Sequence, residues 1–155
     1  MLIYLAGPLF CEAERVFNER LTDSLEALGF QVFLPQRDGP EKDADFATLS
    51  LEERQATIFT ADRDAVLAAD VFLFVLDGRV PDEGAAVELG IAYQQKVSSR
   101  PDKRLIGLMT DDRAAFAGEK LNPMIALALD EVVESEALLL AALRDHAGFG
   151  DELGA

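Results

Sequence analysis

Short apolar runs of up to six residues alternate along the chain with longer segments of helical period, and this alternation restricts the fold more than any other feature. A strand covered on both faces reads as a continuous apolar run, so the pattern calls for a parallel sheet with helices against each side. Five strands are expected: Leu2 to Ala6, Gln31 to Leu34, Val71 to Leu76, Leu105 to Met109 and a short one at Glu131 to Val133. Helices are expected between them. Glu12 to Leu28 carries Val16, Phe17, Leu21, Leu25 and Leu28 on one stripe and ends at Gly29. Leu51 to Ala68 follows Ser50, with Glu53 at the capping-box spacing. Two further helices run from about Gly84 to Gln95 and from Ser135 to Arg144. The polar connection Arg37 to Ala47 is long enough to be a flap over a site.

With 155 residues the chain can bury a full core as one domain, expected over 1–146, with 147–155 as a fraying tail. The 29 acidic against 14 basic residues give a net charge of -15, which repels phosphate backbones and anionic lipid and argues against nucleic-acid or membrane partners. One cysteine, Cys11, and one histidine, His146, can form neither an internal disulfide nor a Cys/His zinc site. No long apolar span or charged leader is present, so a reducing cytoplasm is the expected compartment.

Ligands of open α/β sheets sit beyond the C-terminal ends of the strands. The first such turn, Ala6-Gly7-Pro8-Leu9-Phe10, has neither a dinucleotide-binding nor a P-loop glycine pattern, lacks a Ser/Thr cluster for a flavin phosphate, and loses a backbone donor at Pro8. After the second strand come Pro35-Gln36-Arg37-Asp38. After the third comes a loop leading into Asp82, Glu83 and the small residues Gly84, Ala85 and Ala86, which let a ligand approach and place Glu88 about one turn inside a helix. Asp62 lies on the preceding helix, eight residues before Asp70. Singly, each residue has an ordinary structural explanation. Glu88 could be a solvated helix glutamate, Asp62 a surface acid no better placed than Asp64, Asp82 a helix-start acid, and Tyr4 and Phe10 core aromatics. Arg37 and Arg79 could simply relieve acidic repulsion.

Together these residues resemble the nucleoside 2-deoxyribosyltransferases. The match runs from about residue 3 to 134 through Tyr4-Leu5-Ala6-Gly7-Pro8 with Phe10, Pro35-Gln36-Arg37-Asp38, Asp62 before Ala69-Asp70, Asp82 six residues before Glu88-Leu89-Gly90, and Asn122-Pro123-Met124. The resemblance implies a flavodoxin-like, doubly wound five-stranded parallel sheet with helices on both faces. It makes Glu88 the nucleophile, Asp62 and Asp82 assisting acids, and Tyr4 the residue that holds the glutamate. It also implies substrate contacts at Gly7, Leu9, Phe10, Gln36, Asp38 and Gly84, and has Asn122 and Met124 reach into a neighbouring subunit's site in a homodimer or larger assembly.

The implied substrates are 2′-deoxynucleosides and free nucleobases, exchanged with retention and without metal or organic cofactor. The residue types suit that chemistry. A carboxylate can trap an oxocarbenium-like sugar as a covalent ester, and a carboxyl kept protonated by a nearby carboxylate can protonate the departing base. Phe10 and Leu9 offer an apolar face for either base. The alternative is a 2′-deoxynucleoside 5′-monophosphate N-glycosidase of the same fold. Asp82 speaks against it, because a carboxylate facing the 5′ group repels phosphate and accepts from a hydroxyl. A non-catalytic nucleoside-binding module would leave Glu88 and its supporting acids without a task.

Overall fold

The computed structural model describes residues 1–111 and 121–147. Its elements are β1 (Leu2–Ala6), α1 (Glu12–Ala27), β2 (Gln31–Phe33), α2 (Pro35–Asp38), two 3-10 turns (Pro40–Lys42 and Phe46–Thr48), α3 (Leu51–Ala68), β3 (Val71–Val75), α4 (Glu83–Ser98), β4 (Arg104–Leu108), α5 (Pro123–Ala126), β5 (Glu131–Val133) and α6 (Glu136–Ala147). The strands pair in the order β2-β1-β3-β4-β5, all parallel. This is the doubly wound order, and its reversal between β1 and β3 opens a crevice at the C-terminal ends of those two strands.

Alternate side chains of each strand feed two cores. Ile3, Leu5, Val71, Leu73, Ile106 and Leu108 pack with Leu21 and Leu25 of α1 and Leu139 and Leu143 of α6. Tyr4, Ala6, Phe72, Phe74 and Leu105 face the opposite side and pack with Val66 of α3 and Leu89 and Ala92 of α4. On this second face an aromatic ladder crosses three strands. The Tyr4 ring lies nearly parallel to Phe33 at 5.5 Å and to Phe72 at 5.8 Å, an arrangement set by the register that places Tyr4 opposite both.

Helix α3 is fixed at both ends. Ser50 Oγ accepts from the Glu53 amide at 3.3 Å while the Glu53 carboxylate accepts from the Ser50 amide at 2.8 Å, the reciprocal cap expected from the sequence. At its C-terminus the fully buried Lys103 ammonium donates to the Val66 and Ala69 carbonyls, each at 2.6 Å. Burial lowers that ammonium to about 8, yet the two carbonyls at the negative end of the helix dipole give its charge a partner.

The structure differs from the expected boundaries mainly between β2 and α3. The connection is not structureless, because α2 and the two 3-10 turns fold it into short segments, the first turn packing against α3. Helix α4 begins one residue earlier than expected, since the Asp82 side chain accepts from the Ala85 amide at 2.8 Å and caps it. The tail from residue 148, expected to fray, lies outside the described residues.

Gly7 ends β1 with φ 153, and a methyl group there would lie 2.9 Å from Val75 Cβ and 3.0 Å from the Val75 carbonyl oxygen. The turn at the crevice therefore rests on close backbone approach between β1 and β3. Gly7→Ala is expected to cost about 2–4 kcal/mol of stability by urea denaturation. Gly107→Ala should cost less, because the added methyl meets the side-chain ends of Leu76 and Leu129, which can move.

Candidate active site

The crevice is built around one side chain that crosses from the sheet to a helix. Tyr4 is fully buried, its ring clamped by Phe33 and Phe72, and its hydroxyl donates to Glu88 Oε1 at 2.9 Å. Glu88 sits on the second turn of α4, five residues past Glu83 where the helix begins. Burial and the surrounding carboxylates raise the Tyr4 phenol well above its ordinary value, so it remains a donor at any working pH. Glu88 lines a cleft of about 390 Å³ between α3 and α4, shared with Asp62, Gly84 and Phe59. Burial pushes the Glu88 carboxyl up to about 7. The Tyr4 hydrogen bond works against that rise, and the like charges of Asp62 and Asp82 add to it. Asp62 is pushed up to about 6, first by burial and then by the Glu41 carboxylate. Two half-buried carboxyl groups that resist ionisation therefore share one cleft.

The other expected residues divide into three groups. Gly7, Leu9 and Phe10 form the turn after β1, where Phe10 is 77% exposed at the mouth of the crevice. The turn is held from α1: Glu14 Oε2 accepts from the Phe10 and Cys11 amides at 2.8 and 2.9 Å, and Arg15 donates to the Phe10 carbonyl at 3.0 Å. Asp82 brings its carboxylate to the start of α4, with Oδ1 engaged by the Ala85 amide.

Gln36 and Asp38 point back into the scaffold. Gln36 donates to the Arg15 carbonyl at 2.9 Å and accepts from Asn18 at 3.1 Å. Asp38 accepts from the Leu34 amide at 2.9 Å and pairs with Arg37, which also meets Glu26 at 2.9 Å and the Val32 carbonyl at 2.7 Å. Asn122 and Met124 line a separate apolar groove of about 540 Å³ between α4 and α5, whose other lining includes Leu89 and Tyr93. Asn122 caps α5 through the Met124 amide at 2.9 Å, and Met124 is 81% exposed.

Several residues of the site escape the sequence reading. Ile58 and Phe59 line the cleft beside Asp62, and their positions four and three residues before it place all three on one helix face, a signal that was available. Asn18, 2% exposed, joins the Pro8 carbonyl at 3.0 Å to Gln36, and no sequence pattern marks it. Asp77 ties the end of β3 to the turn after β4, accepting from the Thr110 amide and hydroxyl at 2.6 Å each and from the Asp111 amide at 2.9 Å. Among the described residues no group of three His, Cys, Asp or Glu side chains could hold a metal ion, and no helix is long and apolar enough to cross a membrane.

Comparison with known proteins bears on the family and the fold. The family model for nucleoside 2-deoxyribosyltransferase matches residues 3–142. Among solved structures, a conserved protein from Enterococcus faecalis V583 is 29% identical, with 94% of this chain and 98% of that one covered at a TM-score of 0.73. A 2-deoxyribosyltransferase from the psychrotolerant bacterium Bacillus psychrosaccharolyticus is 25% identical over 90% of each chain, with a TM-score of 0.68. The CMP N-glycosidase BcmB of Clostridium botulinum, 20% identical over 94% of this chain and 99% of that one at a TM-score of 0.55, shares the fold. No curated protein matches the sequence.

The raised Glu88 carboxyl has a consequence for stability. Its folded value of about 7 exceeds its ordinary 4.5, so between those limits the native state binds more protons than the unfolded chain, and stability falls as pH rises. Glu88→Gln removes that loss. Urea denaturation should show the variant more stable than the parent by about 2 kcal/mol at pH 8, with the gap closing toward pH 5. Equal stabilities at both pH values would show Glu88 to be charged throughout.

Proposed function

Because the chain belongs to the nucleoside 2-deoxyribosyltransferase family, we propose that it exchanges the base of 2′-deoxynucleosides through a covalent deoxyribosyl ester on Glu88. The observation that carries this reading is the Glu88 carboxylate held at one oxygen by Tyr4 inside a cleft shared with Asp62. With Oε1 fixed by the phenol, Oε2 is free to attack C1′ as the glycosidic bond breaks. The departing base takes a proton from Asp62, whose carboxyl is pushed by burial up to about 6, above the ordinary aspartate range. In the second half-reaction an incoming base attacks the ester from the opposite side, returns its proton to Asp62 and frees Glu88. Two displacements give overall retention. Asp82 spends one oxygen on the α4 cap, and the other is an acceptor for the sugar 5′-hydroxyl.

A nucleoside suits this cleft better than a nucleotide. The Asp62 and Asp82 carboxylates both act on Glu88 there, and Arg37 is already committed to Asp38 and Glu26, so no cation from the β2 turn offsets a phosphate. We also propose that the site is completed by a second copy of the chain through Asn122 and Met124. In one chain these residues lie in the α4–α5 groove rather than in the Glu88 cleft, and Met124 and Leu127 are each 81% exposed beside it.

Chromatography of protein incubated with a 2′-deoxynucleoside and a different free base is expected to show the swapped deoxynucleoside, while a parallel tube with a deoxynucleoside monophosphate stays unchanged. Free base from the monophosphate, without exchange in the first tube, would assign a hydrolase instead. Glu88→Ala should lower exchange by about 10³-fold or more with the fold retained. Mixing Glu88→Ala with an inactive Asn122→Ala protein should restore part of the activity through hybrid sites. Proven subunit exchange with no recovery would count against a shared site.

A further inference from the structure

Phe10, the aromatic face offered to a base, is 77% exposed and so has no packing to fix its direction. Its aim is set by the backbone of its turn, and that backbone is bound by side chains of α1. The Pro8 carbonyl accepts from Asn18 at 3.0 Å, the Leu9 and Phe10 carbonyls accept from Arg15 at 3.3 and 3.0 Å, and the Phe10 and Cys11 amides donate to Glu14 at 2.8 and 2.9 Å. Arg15 and Glu14 make their bonds at the surface, where water competes for the same groups. Asn18 is 2% exposed, so its bond to Pro8 is the one of the five made from a buried side chain.

Asn18 has a second partner across the sheet edge. Its Nδ2 also donates to Gln36 Oε1 at 3.1 Å, and Gln36 Nε2 donates in turn to the Arg15 carbonyl at 2.9 Å and to Glu19 Oε1 at 3.2 Å. A backbone carbonyl, which can only accept, stands at each end of this chain, so both carboxamides are held in one orientation. Asn18 Oδ1 accepts from no described residue, and the two donor bonds therefore account for how the group is turned. Through this one buried side chain α1 joins the turn after β1 to α2, the segment after β2.

We propose that Asn18 is a positioning residue for base capture, its carboxamide clasping the Pro8 carbonyl and Gln36 so that Phe10 stands over the crevice and an incoming base reaches the ester ahead of water. This rests on the transferase reading, and Asn18 itself touches neither sugar nor base. The competing reaction is hydrolysis: water attacks C1′, the bond from C1′ to Glu88 Oε2 breaks, 2-deoxyribose leaves, and the Asp62 carboxylate takes the proton that water gives up. Water is always at hand, whereas a base has to be held over the ester, so a looser turn penalises the base alone. Gln36, with both ends of its carboxamide engaged, acts on the base through the turn and not by direct contact.

The test is Asn18→Leu, which keeps the side-chain size and removes both donor bonds, read by base-exchange kinetics and by fluorescence. The KM for the incoming base is expected to rise about threefold to tenfold, with kcat at saturating base within about twofold of the parent. At a fixed base concentration below KM, the ratio of 2-deoxyribose released to nucleoside formed should rise by the same factor. Gln36→Ala should act in the same direction, and the double variant should be little worse than either single one, as for two halves of one clasp. The chain has no tryptophan, so Phe10→Trp gives the turn a single fluorophore, and adding Asn18→Leu to it should lower the anisotropy. A kcat loss with KM unchanged, additive effects of Asn18→Leu and Gln36→Ala on KM, or an unchanged anisotropy overturns the proposal. Should Asn18→Leu not fold, Gln36→Ala leaves the α1 core intact and carries the same KM and anisotropy readings, a raised KM with unchanged anisotropy again counting against the clasp. If the parent protein exchanges no bases at all, the transferase reading fails, and the anisotropy alone still decides whether Asn18 holds the turn.

Discussion

The arrangement of the site depends on a single buried phenol. Tyr4 belongs to the hydrophobic core by its ring and to the cleft by its hydroxyl, and it can serve both because β1 is interior, with a strand on either side. Phe33 and Phe72 hold the ring from the two neighbours, so the hydroxyl is aimed by sheet register rather than by a loop. A side chain fixed in this way has little rotamer freedom left to lose when Glu88 accepts its hydrogen bond. The Glu88 carboxylate, in turn, is set by the rotation of α4, which the Asp82 cap and the burial of Leu89 against the sheet define.

A strongly acidic chain has placed its most strongly raised carboxyls, among the described residues, in a half-buried cleft. Around the cleft, burial raises Asp62 and Glu88, whereas cations elsewhere are engaged in the scaffold: Arg37 with Asp38 and Glu26, Arg100 with Asp70, Lys96 with Asp130. A cation beside Glu88 would hold it ionised and lower its pKa, but would also hold Asp62 ionised and remove the proton a leaving base requires. A neutral donor such as Tyr4 avoids that conflict, since it stabilises the charge on the residue it touches and acts weakly on the next.

The elements that could be read from sequence were those whose signal is local. The apolar runs gave β1 and β5 with the boundaries found, and Ser50 with Glu53 marked the start of α3 where the structure has it. The juxtaposition of Tyr4 with Glu88 spans 84 residues, and no spacing rule contains it. It was reached through the resemblance alone. Gln36 and Asp38 lie on the turn expected of them, yet their side chains are drawn into Asn18, Arg15 and the Leu34 amide. That outcome is decided by tertiary neighbours, and Asn18, the residue that draws Gln36 in, looks like any polar residue on a helix. The connection after β2 was legible as polar but not as folded, because two 3-10 turns of three residues each carry too few positions for a periodic signal.

Helix α4 shows how function erases the pattern by which a helix is recognised. An ordinary surface helix keeps one apolar stripe and one polar face. Here Leu89 and Ala92 face the sheet, Gly84 and Glu88 face the cleft, and Gly90 and Tyr93 line the groove toward α5. Three directions are thus occupied, Val87 is 61% exposed on the cleft side and Val97 is 59% exposed near the end of the helix. A helix with so little polar surface is costly to leave in water. The cleft on one side takes a ligand in the proposed reaction, and the groove on the other carries Asn122 and Met124, the two residues through which a second copy would complete the site. On that reading the weak amphipathicity of α4 is the sequence trace of a helix that lies between a substrate and a neighbouring subunit.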